Sequence, residues 1–153
     1  MKIVYAFGPI AGFTYDEAED WRRWLAAELL PHGIKVVSPL RFKEALRGAG
    51  VLSGHGRDYG LDSVLTTDKA ILARDKFDVL RADMLAGNFL DARQPSIGSM
   101  FEMAWAHEAH TPIAAAVPPD AGHPHDHLFF NETLDFRVHN LADLRDVCLA
   151  VLA

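Results

Sequence analysis

A chain of 153 residues is the length of one domain, able to bury a core without disulfide or metal staples. Half of the residues are hydrophobic and the formal net charge is -6. That balance excludes the basic footprint of a protein that grips a nucleic-acid polymer, but not a small anionic ligand held at a local positive site.

The first element is an apolar run, Ile3 to Phe7, that stops at the breaker pair Gly8-Pro9 and so reads as a buried strand. It is too short for a signal h-region and carries no cleavage site. A helical pattern begins at Thr14 or Tyr15, with Ala18, Trp21, Trp24, Leu25 and Leu29 on one face. Glu17, Glu19, Asp20, Arg22 and Arg23 supply its polar face, and Pro31-His32-Gly33 ends it. Ile34 to Val37 reads as a second strand, followed by a short helix over Arg41 to Leu46. Residues 47 to 66 are rich in Gly, Ser and Asp, without a stable period. So long a loop in a compact domain suggests a binding loop or a lid, closing through Tyr59 and Leu61.

Thr67 starts the next helix, which runs to about Ala82, and Asp83 to Leu90 reads as a third strand. Ser96 or Ser99 opens a helix through Phe101, Trp105 and Ala109. Pro112 to Val117 is a fourth strand, 122 to 127 a loop or helical turn, Phe136 to Val138 a fifth strand, and Leu141 to Leu152 the last helix. Cys148, the only cysteine, lies in that final apolar run and reads as a buried, inert thiol. No apolar run approaches a membrane span, so a soluble cytoplasmic protein is expected.

Strands alternating with helices predict an α/β fold: residues 1–153 as one doubly wound, flavodoxin- or Rossmann-like domain. Its sheet would have about five mainly parallel strands flanked by helices. Such sheets bind ligands at the carboxyl ends of their strands, near the switch point of strand order. The polar groups predicted around those ends are Tyr5, Gly8, Pro9 and Phe13 after the first strand, then Asp75 and Asp83 before the third. Asn88, Ser96, Gly98, Ser99 and Glu102 follow the third. Two or three carboxylates and a phenol would then meet in one crevice.

Spacing alone reads Ser99-Met100-Phe101-Glu102 as a capping box, in which the glutamate reaches back to its own helix. It also reads Asp75 and Asp83 as helix acids and Tyr5 as core. The alternative is a carboxylate left free for chemistry. The His-rich loop Gly122-His123-Pro124-His125-Asp126-His127 falls one residue short of a known zinc-hydrolase pattern. His139 is the only later histidine, so no metal is expected. There is no dinucleotide fingerprint, no Walker lysine and no nucleophile elbow, and no cofactor is expected.

Three blocks in order resemble the nucleoside 2-deoxyribosyltransferases and their nucleotide N-glycosidase relatives. They are Val4-Tyr5-Ala6-Phe7-Gly8-Pro9-Ile10-Ala11-Gly12, Arg74 to Asp83, and Ser96-Ile97-Gly98-Ser99-Met100-Phe101-Glu102 with the helix that follows; His110-Thr111-Pro112-Ile113 then leads into the next strand. The resemblance implies Glu102 as nucleophile, Asp75 as the acid that contacts and protonates the nucleobase, and Tyr5 as the group that orients Glu102. Ser99 would lie near the sugar or a phosphate. The family often carries a further acid just before the Gly-Ser turn, where this chain has Ser96-Ile97, with Asp91 some residues earlier. The family also completes each site from a neighbouring subunit, for which Asp126 or His127 are the nearest candidates. A homo-oligomer that takes a nucleoside or nucleotide and a free nucleobase is therefore expected.

The residue types suit that chemistry. A carboxylate attacking C1' gives a covalent glycosyl-enzyme, and the departing base needs a proton from a second carboxyl. The alternatives are transfer of the sugar to a second base, hydrolysis of a nucleoside 5'-monophosphate, and a non-catalytic nucleotide sensor on the same fold.

Overall fold

The structure is a computed structural model that describes residues 1–60 and 63–153. Its parallel sheet is built from β1 (Lys2–Phe7), β2 (Ile34–Val37), β3 (Met84–Asn88), β4 (Ile113–Ala116) and β5 (Phe136–Val138), in the order β2-β1-β3-β4-β5. The helices are α1 (Tyr15–Leu29), α2 (Asp68–Leu80), α3 (Ile97–Glu108), α4 (Leu128–Thr133) and α5 (Leu141–Leu152). The expected single doubly wound α/β domain is what forms, and every strand pair is parallel.

Alternation along the strands decides what each face of the sheet packs against. Tyr5 and Phe7 of β1, Leu85 of β3 and Ile113 and Ala115 of β4 point to one face, where Val79 of α2 and Met103 and Ala106 of α3 meet them. Val4, Met84, Ala114 and Ala116 point to the other, against Leu25 and Leu29 of α1 and Leu144 and Cys148 of α5. Burial on both faces explains why the central strands read as unbroken apolar runs. It also pushes the Cys148 thiol up to about 12, which leaves it an unreactive thiol.

After β2 the chain crosses to the far side of β1 to lay down β3, so the order reverses between these two strands. At their carboxyl ends Gly8 takes φ 142°, and a Cβ there would lie 2.7 Å from the Asn88 carbonyl oxygen. Only glycine lets the backbones close this tightly at the switch point.

Several boundaries differ from expectation. The third strand starts at Met84 and stops at Asn88, one residue later and two earlier than predicted. The segment after β2 forms a 3-10 run over Glu44–Ala49, in place of a helix over 41 to 46. Residues 47 to 60 and 63 to 66 are less irregular than their composition suggests. Gly12 N–H donates to Leu52 O at 2.9 Å, Leu52 N–H donates to Phe13 O at 2.7 Å, and Tyr59 Oη donates to Ser53 O at 2.6 Å. Leu61, expected to close with Tyr59, lies outside the described residues.

The polar face assigned to α1 needs a larger correction. Arg22 is 1 % exposed and Glu19 8 % exposed. Arg22 turns inward because the end of β1 offers it carbonyls. Its Nε donates to Ala6 O at 3.0 Å, Nη2 to Gly8 O at 3.1 Å, and Nη1 to Ala18 O. Glu19 accepts from Ser38 Oγ at 2.6 Å. Among the described residues no helix is long and apolar enough to cross a membrane.

Candidate active site

A cavity of about 570 Å³ opens at the carboxyl ends of β1 and β3, within the usual range for a small-molecule site. Its walls come from the Gly8–Ala11 turn, the 39–59 segment, α2 and the start of α3. Glu102, Asp75, Gly8, Pro9, Ser96, Gly98 and Ser99 all line it, so most of the expected site residues share one space.

Ser96 caps α3, with its Oγ accepting from the Ser99 amide at 3.4 Å and lying 2.9 Å from Ser99 Oγ. The cap therefore sits three residues earlier than the Ser99-to-Glu102 box would need, and Glu102 is released from capping. It instead accepts a hydrogen bond of 2.6 Å from Tyr5 Oη, delivered by β1 across the sheet. Burial raises Tyr5 well above the ordinary phenol range, which keeps its proton on the oxygen as the donor. Glu102 is 8 % exposed, and burial, followed by the Asp75 charge, pushes its carboxyl up to about 8 against the pull of Tyr5 and Arg22. Asp75 rises to about 6, mainly by burial, and the Lys43 and Arg74 charges oppose the rise. Asp75 Oδ1 is buried with no hydrogen-bond partner among the described residues. Both carboxyls that line the cavity are thus raised, and the Asp75 charge is one of the causes that act on Glu102.

Other expected residues stand elsewhere. Asp83 sits at the amino end of β3, at the opposite edge of the sheet from the cavity. It accepts from Lys2 Nζ at 3.0 Å and from Ile3 N–H at 2.8 Å, and the Ile3 amide holds its carboxyl low. It is a strand-end clamp and does not reach a ligand in the cavity. Phe13 and Asn88 border a separate small pocket beside Asp91. Phe13 packs under the Arg93 guanidinium and Asn88 Oδ1 accepts from Leu90 N–H at 3.1 Å. Asp126 accepts from Gly122 N–H and Asn131 Nδ2, and His127 caps α4; neither lines this chain's cavity. Arg93 donates to Gly12 O at 2.8 Å and also lies outside the cavity. Among the described lining residues the only carboxylates are Glu102 and Asp75, so no helper acid replaces Ser96-Ile97.

The His-rich loop uses its rings as caps. His123 Nδ1 accepts from His125 N–H, His127 Nδ1 from Phe129 N–H, and His125 Nε2 from Ser96 N–H at 2.8 Å. Burial against Phe89 and Phe130 pushes His125 down to about 4, which keeps its ring neutral and accepting. His125 thereby ties this loop to the turn that presents Ser99 and Glu102.

Lys43 is a site residue that the sequence pattern does not single out. It lines the cavity, is 6 % exposed, and burial pushes its ammonium down to about 8. Phe42, at φ 61° and 76 % exposed, makes the turn that sends its neighbour inward. The available signal is position: the segment follows the carboxyl end of β2, the edge where ligands bind.

No family model and no curated protein matches the chain at the sequence level. Solved structures do match its fold along nearly the whole length. A conserved protein from Enterococcus faecalis superposes with TM-score 0.66 at 16 % identity, over 95 % of this chain and 96 % of its own. A 2-deoxyribosyltransferase from Leishmania mexicana gives 0.64 at 13 % identity over 100 % of both chains. A CMP N-glycosidase from Clostridium botulinum gives 0.58 at 11 % identity, over 97 % of this chain and 99 % of its own. At these identities the likeness establishes the fold, and function has to be argued from the site.

Proposed function

We propose that this protein is a nucleoside 2-deoxyribosyltransferase-like enzyme. It would cleave the N-glycosidic bond of a (deoxy)nucleoside through a glycosyl ester on Glu102 and pass the sugar to a second nucleobase. One observation carries this reading: the Glu102 carboxyl is buried at the cavity wall, bonded by Tyr5 instead of its own helix, in a cavity that Asp75 also lines. The same residue types and order mark the family that the sequence resembles. Solved structures of this fold include a deoxyribosyltransferase and an N-glycosidase.

The steps balance on these groups. The Glu102 carboxylate attacks C1', the C1'–N bond breaks, and its electron pair stays on the base nitrogen. The reacting form has Glu102 ionised and Asp75 protonated, and the Asp75 proton passes to the departing base, so the two carboxyls serve as nucleophile and acid. Tyr5 fixes the attacking oxygen and Arg22 supplies buried positive charge behind it. In the return step an acceptor base attacks C1', Glu102 leaves as carboxylate, and the acceptor's proton returns to Asp75.

A second reading, hydrolysis of a nucleoside 5'-monophosphate, is favoured by the start of α3. Ser96, Gly98 and Ser99 line the cavity there, at the kind of helix N-terminus that suits a phosphate. Incubation with deoxynucleosides plus a second base, and separately with deoxynucleoside monophosphates, separates the two. A new deoxynucleoside identifies transfer, and free base with deoxyribose 5-phosphate identifies hydrolysis. Glu102→Ala should lower either rate by about a thousandfold or more. A catalytically silent protein that still binds nucleotide would leave the sensor reading standing.

A second copy of the chain would complete the assembly. Phe77 of α2, Ile97 and Phe101 of α3 and Phe129 of α4 are exposed on one helical layer, and Ile97 also borders the cavity. A homo-oligomer joined here would cover that apolar surface at the mouth of the site.

A further inference from the structure

The proposed reaction leaves Lys43 without a task. Its side chain is more than nine-tenths buried, in a wall shared with Leu40, Leu46 and Ile71. Among the described residues its Nζ makes no hydrogen bond and no salt bridge. A desolvated ammonium in apolar surroundings is retained where something accepts its hydrogens. Arg74, next to Asp75 on α2, donates to Arg41 O at 3.2 Å and to Pro39 O, which seats the segment carrying Lys43 against this part of α2. Asp75 is also the carboxylate whose charge acts on Lys43. Lys43 therefore belongs to the Asp75 side of the cavity.

That end must face the nucleobase if Asp75 protonates it, so a base-reading role for Lys43 rests on the proposed glycosidic reaction. Asp75 in its acid form donates to a ring nitrogen, and Lys43 beside it donates again. Two adjacent donors fit a base edge that offers two adjacent acceptors. A 6-oxopurine presents N7 and O6 in that relation, whereas adenine presents N7 beside an amino donor. We propose that Lys43 reads a nucleobase carbonyl oxygen, so that the enzyme prefers 6-oxopurine nucleosides over 6-aminopurine ones. An amino group there would set donor against donor and leave the ammonium unpaired, which a site built for a hydrogen bond rejects strongly.

The test compares deoxyinosine with deoxyadenosine, which differ at the 6-substituent, in the unmodified protein, Lys43→Met and Lys43→Gln. The expected kcat/KM ratio in the unmodified protein favours deoxyinosine by about tenfold to a hundredfold. It should fall to about one in Lys43→Met and take an intermediate value in Lys43→Gln, whose amide still donates. Melting curves confirm that both variants fold. A ratio near one in the unmodified protein, or equal loss on both substrates in Lys43→Met, overturns the inference. Calorimetric binding of free hypoxanthine and free adenine to the same proteins gives a readout independent of turnover. Lys43-dependent preference for hypoxanthine without cleavage would sink the glycosidic reading and leave the base preference standing. No preference in either measurement would sink the base preference.

Discussion

Glu102 and Asp75 are held above the ordinary carboxyl range by burial first and, for Glu102, by the Asp75 charge second, and this dictates how the site answers to pH. The proposed reaction needs one ionised and one protonated carboxyl: below about 6 both are protonated, and above about 8 both are ionised. The kcat/KM profile should be a bell with limbs near those values, and the limbs belong to the pair. Tyr5→Phe removes the bond that favours the Glu102 carboxylate, so the limb near 8 should move up. The same burial weakens the fold. Glu102 ionises near 4.5 when unfolded and near 8 when folded, so the folded chain binds more protons in between and stability falls as pH rises through that window. Glu102→Gln should therefore raise Tm at pH 8 by about 5 °C, on the order of 2 kcal/mol, and have little effect near pH 4. Equal gains at both pH values would contradict the burial cost.

At the scale of elements, the cavity is shaped by how the 53–60 wall seats against the start of α2. A Cβ on Gly56 would lie 1.8 Å from the Thr66 carbonyl oxygen, and the Gly56 amide donates to Asp68 Oδ1 at 2.6 Å. Gly56→Ala must push this wall away from α2. The expected cost is about 1–3 kcal/mol in urea unfolding, with a rise in KM that exceeds any fall in kcat. A fall in kcat alone would place the wall in the chemistry. Which elements are legible in the sequence depends on their environment. β1 and β4 are readable because burial on both faces leaves only apolar residues. The helices are readable by period and cap, as with Thr14 and Thr67. Arg22 and Glu19 defeat the pattern because a helical period treats charge as outward. It cannot foresee the Ala6 and Gly8 carbonyls waiting at the end of β1. Glu102 is ambiguous from spacing because Ser96 and Ser99 are both plausible caps, and only tertiary structure decides which is used. Lys43 is invisible because its inward turn depends on a left-handed Phe42.

For the whole molecule, the α2–α3–α4 layer leaves several large apolar side chains exposed. Phe77 is 62 %, Ile97 75 % and Phe129 73 % exposed. The protein should elute as a dimer or larger in size-exclusion chromatography with light scattering. Phe101→Asp should shift it to monomer and lower activity at least tenfold, while the melting curve stays cooperative. A monomeric unmodified protein at full activity would refute the shared-site assembly. Asp126 and His127, which do not reach the cavity of their own chain, would then have no part in catalysis.

The Tyr5–Glu102 bond joins residues 97 positions apart, and that separation has a kinetic consequence. β1 is an inner strand, paired with β2 on one edge and with β3 on the other. The first edge can close once residues near 37 are available, but the second must wait for a segment some 80 positions away. Parallel, non-local pairing of this kind is slow, because loop closure costs entropy before contacts repay it. The first quarter of the chain, through β2, therefore passes through a stage with one open, apolar strand edge, prone to sticking to another chain. With the phenol on the first strand and its carboxylate on the third helix, the proposed site is complete only once β1 and β3 have paired, and recovery of activity should lag recovery of helical signal on refolding.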